Sequence, residues 1–165
     1  MATSLFSPAP SQPANPDPYQ ESQGLGTLLP KSQQDVTVLV VEDNVANFVL
    51  IARLLGYMSI HCEWKTSGYE VVEYADTLPQ LDLILMDIRL PYEDGYGALK
   101  KIRSSSRLRD TLVVAVTAEA SPEEMKKAHE AAFDGFLGKP LDPDKFPDQI
   151  RRILAGVPVW ELNEL

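Results

Sequence analysis

Three short runs that are almost wholly apolar, VTVLVV at 36–41, LDLILMD at 81–87 and TLVVAVT at 111–117, restrict the possible folds more than any other feature. A strand with one wet face alternates apolar and polar residues, whereas a run without alternation is covered on both faces, as strands of a parallel sheet are. Each run leads into an amphipathic stretch. Asp43 or Asn44 is placed to cap a helix in which Val45, Phe48, Ala52 and Leu55 recur at helical spacing, ending at Gly56. A second strand at 59–64 and a short helix after Gly68, carrying Val71, Val72 and Ala75, come next. Asp94 and Gly95 open a helix with Leu99 and Ile102, and Pro122 stands where a first helical turn tolerates it, ahead of EEMKKAHEAA. A strand at 135–137 and a last helix over 142–154 complete the set, with Pro147 moving that helix's start towards Lys145. Five strands alternating with five helices through short loops predict an α/β fold: a doubly wound, five-stranded parallel sheet with helices on both faces.

The first 34 residues have another character. Pro8, Pro10, Pro13, Pro16, Pro18 and Pro30 stand among Ser, Gln, Asn and Ala with few large apolar side chains, too little to offset the entropy of ordering. Residues 1–34 are expected to be a disordered tail, 35–156 the folded domain and 157–165 a short C-terminal tail. The two PxxP matches in the first tail are read as solvated linker. With 24 acidic and 15 basic residues the formal charge is -9, which repels a nucleic-acid backbone or an anionic membrane surface. Cys62 has no second cysteine to pair with, and one thiol with His61 and His129 is too small a set for structural zinc. The opening MATSLFSPAP has neither the basic start nor the apolar core of an export signal, so a cytoplasmic location is expected.

In open parallel sheets ligands sit beyond the carboxyl ends of the strands. There the first strand gives Glu42 and Asp43, the third Asp87, the fourth Thr117, and the fifth runs into Lys139. Each has an innocent alternative: a helix cap for Asp43, a loop hydroxyl for Thr117, a surface charge for Lys139. Asp87 is harder to dismiss, because a carboxylate straight after LDLILM lies near a buried rim and needs a partner. Together the carboxylates offer hard oxygen ligands suited to magnesium, which also contacts phosphate oxygens. An ionised Asp87 can then attack a phosphoryl group in line, with Lys139 neutralising its oxygens and Thr117 offering a hydroxyl to the product.

The segments VLVVEDN, LILMDIRLPYEDG, VVAVTA and FDGFLGKP resemble the signature segments of bacterial response-regulator receiver domains, over about residues 36–155. The resemblance implies a flavodoxin-like receiver fold. It implies that Asp87 is the phosphoacceptor, that Glu42, Asp43, Asp87 and the backbone carbonyl of Arg89 hold magnesium, and that Thr117 and Lys139 bind the phosphoryl group. It also implies a cis Lys139–Pro140 bond. The switch pair implied is Thr117 with Phe136, where the family often has tyrosine; a Phe136 ring that turns inward can report the state but cannot donate a hydroxyl. The effector surface implied is the fourth helix, fifth strand and fifth helix.

A related aspartyl-phosphate phosphatase places a second acid two residues after its nucleophile, where this chain has Arg89, so turnover chemistry is not expected. Nor does a dinucleotide site fit EDNVAN, which lacks a glycine-rich turn. The remaining alternative is a receiver-like binding module that is never phosphorylated, but such a module normally lacks one of the five residues and none is missing here. GVPVWELNEL is too short for an output domain, so the expected effector is another protein, and the expected donor is a sensor histidine kinase or phosphotransfer protein. Arg89 and Glu119, two residues beyond Asp87 and Thr117, are expected to pair across the mouth of the site and tune phosphoryl lifetime.

Overall fold

The apolar runs form the middle of the sheet. The computed structural model describes residues 35–162, all within one compact unit. In chain order the elements are β1 (Thr37–Val41), α1 (Val45–Tyr57), β2 (His61–Lys65), α2 (Val71–Thr77), β3 (Leu83–Met86), α3 (Gly95–Ser104), β4 (Leu112–Thr117), α4 (Pro122–Glu130), β5 (Gly135–Gly138), α5 (Phe146–Leu154) and β6 (Trp160–Glu161). The strands lie in the order β2-β1-β3-β4-β5-β6, and every adjacent pair is parallel. Strand order reverses between β1 and β3, which opens a crevice at their carboxyl ends. The expected tail at 1–34 lies outside the described residues.

Alternate strand residues feed two cores. Val38, Val40, Leu83, Leu85, Val114 and Val116 face α1 and α5, while Leu39, Val41, Ile84, Met86, Val113 and Ala115 face α2, α3 and α4. Both faces of the central strands are dry, which is why the runs do not alternate. Truncating one of these side chains, as in Leu85→Ala, costs about 2–5 kcal/mol because the packed surroundings close the void only in part.

Local chemistry sets the helix starts that matter for the site. Asn44, not Asp43, caps α1: its side chain accepts from the Asn47 amide at 3.0 Å, leaving the Asp43 carboxylate uncommitted to a cap. Asp94 caps α3 through the Gly97 amide, and Gly95 lets that helix start press against the sheet, since a Cβ there would stand 2.7 Å from the Asp87 carbonyl. The helix bounds differ from expectation at two places. Helix α1 runs through Gly56 to Tyr57, with the turn taken by Met58 and by Ser59 at φ 57°. Helix α5 starts at Phe146, because Pro147 lacks an amide and fits only a first turn, while 142–145 form a turn closed by the Lys145 amide on the Asp142 carbonyl. The second strand begins two residues later than expected, after the Ser59 turn.

The main departure is at the C-terminus. Residues 157–165 were expected to be a tail, yet Trp160–Glu161 forms a sixth strand on β5, so the sheet has six strands and the folded unit extends to 162. Two residues are too short for any periodicity to announce a strand. Among the described residues no helix is long and apolar enough to cross a membrane.

Candidate functional site

Strand register brings the singled-out residues together. Val41 pairs with Met86, Met86 with Ala115, and Thr117 with Gly138, so Glu42, Asp87, Thr117 and Lys139 all leave the sheet at one edge. The ladder continues one step beyond the strands, through the Asp87 amide to the Val41 carbonyl at 3.0 Å and the Lys139 amide to the Thr117 carbonyl at 2.8 Å. These bonds fix the backbone beneath each functional group.

Lys139 Nζ donates to Asp87 Oδ2 at 2.8 Å and to Glu42 Oε2 at 2.6 Å, and the Arg89 amide donates to Asp87 Oδ1 at 3.0 Å. Asp87 is 7% exposed and Glu42 1%. Burial pushes the Asp87 carboxyl above its usual range; the hydrogen bond and charge of Lys139 oppose this without cancelling it, and the Glu42 charge adds to it. For Lys139 the balance falls the other way. Burial disfavours the ammonium, but Asp87 and Glu42 together outweigh burial and raise its pKa, so it stays charged.

Ligand oxygens of Glu42, Asp43 and Asp87 lie within 4.8 Å of one another. Three hard oxygen donors at that spacing, two buried and one open to solvent, fit a divalent cation such as magnesium that retains several waters. The surplus negative charge left by one ammonium between two carboxylates favours the same guest.

Thr117 is wholly buried, and its Oγ1 accepts from the Glu119 amide at 3.2 Å. Phe136 is also wholly buried, in the core beneath α4 with Ala128 and Phe133, so its ring is already inward in this structure. Arg89 and Glu119 form an ion pair between the loops after β3 and β4, with both side chains largely exposed. The Lys139–Pro140 peptide is cis.

Two supporting residues escaped the sequence reading. Asn47 donates to Glu42 Oε1 at 3.2 Å, and the Trp64 indole donates to the Glu42 carbonyl at 2.8 Å while its ring stacks on Phe48 at 4.0 Å. Asn47 lies one turn into α1 beside Glu42, a spacing visible in the sequence. Trp64 reaches Glu42 only through the β1–β2 register, which is not. A further bridge joins α3 to α4 beside the site, where Tyr96 Oη donates to Glu124 at 2.8 Å and Lys127 lies over the Tyr96 ring at 4.5 Å.

The six-stranded parallel sheet thus carries, at its switch point, an acidic cluster bridged by a lysine that could hold a divalent cation. The family model of the response regulator receiver domain matches residues 38–151, and the chain belongs to that family. The signal transduction histidine-protein kinase BarA of Shigella flexneri is 39% identical over 148 residues, covering 84% of this chain and 16% of that kinase. This chain therefore spans only about a sixth of that relative. The probable methanogenesis regulatory protein FilR2 of Methanothrix harundinacea is 32% identical over 121 residues, covering 67% of this chain and 76% of that protein. Among solved structures, the receiver domain of the sensor histidine kinase PA1611 from Pseudomonas aeruginosa, determined with magnesium coordinated in its active site cleft, superposes with a TM-score of 0.66. It is 29% identical and covers 73% of this chain and 98% of its own. The chemotaxis response regulator CheY4 of Vibrio cholerae has a TM-score of 0.66 at 24% identity, covering 72% of this chain and 98% of its own, which bears on the fold.

Proposed function

We propose that this receiver domain is a phosphorylation-dependent switch that takes a phosphoryl group onto Asp87 and signals by protein–protein contact. The observation that carries this reading is the Asp87 carboxylate itself. It is buried at the switch point, has one oxygen on a lysine and the other on a backbone amide, and lies within reach of two further acids. One Asp87 oxygen attacks phosphorus in line as the bond from phosphorus to the donor breaks. For a phosphohistidine donor that bond is P–N, and the departing imidazole takes up a proton. Lys139 follows the charge from carboxylate to phosphoryl oxygen, and the Thr117 hydroxyl, at the end of the neighbouring strand, is placed to donate to another oxygen. Glu42, Asp43 and Asp87, with the Arg89 carbonyl, would hold magnesium. When bound, that ion supplies positive charge against the transferring phosphoryl oxygens.

The donor is a histidine kinase or phosphotransfer protein, a reading supported by the histidine kinases among the relatives, and the effector is another protein. The domain catalyses its own phosphorylation and slow hydrolysis but turns over no substrate, because Arg89 stands where a second catalytic acid would be needed. A cytoplasmic site of action follows from the same kinase reading. In the test, acetyl phosphate is added with and without magnesium and intact mass is read. A gain of one phosphoryl group that requires magnesium and is absent from Asp87→Asn is the expected result. Equal labelling of Asp87→Asn refutes the assignment.

A further inference from the structure

Glu42 is tied to β2 through both polar groups of its backbone. Its amide donates to the Lys65 carbonyl at 2.9 Å, the last regular rung of the β1–β2 ladder. In a parallel ladder the donor for the Glu42 carbonyl would be a backbone amide two residues further along β2, but the chain bends at 66–68 and the strand ends at Lys65. The Trp64 indole takes that place, donating to the carbonyl at 2.8 Å. Its ring is fixed in turn. It lies on Phe48 of α1, with centroids 4.0 Å apart and planes 2° from parallel, and Phe48 packs against the core.

The carbonyl concerned belongs to the peptide that joins Glu42 to Asp43, so its direction sets where the Asp43 backbone leaves the sheet. On the other side of Asp43, the Asn44 amide donates to Glu42 Oε1 at 3.2 Å and the Asn44 side chain caps α1. Asp43 is thereby fixed on both sides although it is itself exposed. We infer that Trp64 is a positioning residue for the divalent-cation site: its indole N–H, steadied by Phe48, holds the Glu42–Asp43 peptide in the orientation that keeps both carboxylates close to Asp87 before any cation arrives. Three carboxylates with ligand oxygens within 4.8 Å repel one another, and one lysine does not neutralise them. An unclamped loop would relax away from Asp87, and part of the cation's binding energy would go into drawing it back. This inference rests on the reading of Glu42, Asp43 and Asp87 as magnesium ligands and adds a residue outside the acidic cluster; Trp64 acts through Glu42 and is not itself a ligand.

The test separates the N–H from the ring. Trp64→Phe keeps a ring for Phe48 to stack on and removes the donor. Magnesium chloride is titrated by calorimetry into the parent and the variant, and the variant should bind about tenfold more weakly, the lower end of what losing a bond to a ligand residue costs a metal site. Phe48→Leu, which loosens the indole and leaves its N–H, should weaken binding by a smaller factor. The indole N–H of Trp64, identified in a proton–nitrogen spectrum as the signal missing from Trp64→Phe, should shift through the same titration with the same midpoint. In acetyl phosphate labelling, the magnesium concentration giving half the rate should rise with the weaker affinity, while the rate at saturating magnesium stays at the parent's because Asp87 and Lys139 are untouched. A residue that only stabilised the fold would lower the melting temperature and leave that midpoint alone. Magnesium binding as tight in Trp64→Phe as in the parent, an indole signal that does not move as magnesium binds, or no magnesium binding by the parent each overturns the inference. A parent that binds magnesium with this dependence on Trp64 but takes no phosphoryl group sinks the reading of Asp87 and leaves the positioning role standing.

Discussion

Replacing Lys139 by methionine, which keeps the length of the side chain and removes its charge, isolates the electrostatics at the centre of the site. The lysine side chain is 11% exposed and bridges carboxylates whose side chains are 2% and 9% exposed. Removing one partner of a buried pair leaves the other charge without compensation, a cost of about 3–5 kcal/mol. The loss here stands at that level rather than at the 0–1 kcal/mol of a surface pair, because two carboxylates are stranded at once. At about 3–5 °C per kcal/mol for a domain of this size, the melting temperature of the variant in EDTA at pH 7.5 should fall by roughly 10–20 °C. The pH dependence has a definite sign. The Asp87 carboxyl is raised above its ordinary value of 3.8 in the folded state even with the lysine in place, and without the lysine it rises further. Its contribution to stability is complete below the ordinary value, where both states are protonated, and is lost as pH climbs from there through the raised folded value. The deficit of Lys139→Met should therefore shrink at pH 5, and Asp87→Asn in the same chain should recover part of it at pH 7.5. Urea unfolding followed by circular dichroism reads all three. A Lys139→Met variant within about 1 kcal/mol of the parent at pH 7.5 would refute the claim that Lys139 is the counter-charge of a buried site.

Three further predictions concern lifetime, switching and the thiol. Arg89→Ala should shorten the phosphoryl half-life a few-fold at low salt and less at high salt, because an exposed pair with Glu119 is screened; an unchanged half-life shows that the pair shields nothing. Phosphorylation should change amide exchange across β4, α4 and β5, where Thr117 and Phe136 lie, and a change confined to α1 contradicts that route. Cys62 should alkylate about a hundredfold more slowly at pH 8 than in the urea-unfolded chain, since burial, helped by the neighbouring Glu63 charge, pushes its pKa up from 9.0 to about 11. The same shift makes the thiol's contribution to stability complete below pH 9.0 and lost as pH rises towards 11; alkylation as fast as in urea contradicts it.

The central strands and their site residues were legible because both rest on local patterns. A strand dry on both faces must read as LDLILM, and a carboxylate at its end is conspicuous against that run. The Arg89–Glu119 pair followed from counting two residues past adjacent strand ends, and it is formed. What the sequence hid depends on register or on very few residues. Trp64 supports Glu42 across the β1–β2 pairing, and β6 is two residues whose strand character comes wholly from the β5 edge beneath it. The start of α5 was expected between Asp142 and Lys145, and the structure puts it at Phe146, with Pro147 in the first turn. The proline decides it, because its missing amide and fixed φ fit only the first turn of a helix.

The central claim is that Asp87 carries the phosphoryl group. Borohydride reduces an aspartyl phosphate to homoserine and leaves free carboxylates untouched, so the reaction records the site covalently. The chain is incubated with magnesium and a phosphorylated histidine kinase, reduced, digested and mapped by mass spectrometry. The account predicts homoserine at position 87 in the peptide spanning β3, and its loss when magnesium is chelated. Homoserine at position 42 or 43, or at no position while phosphoryl groups still leave the kinase for this chain, would contradict it.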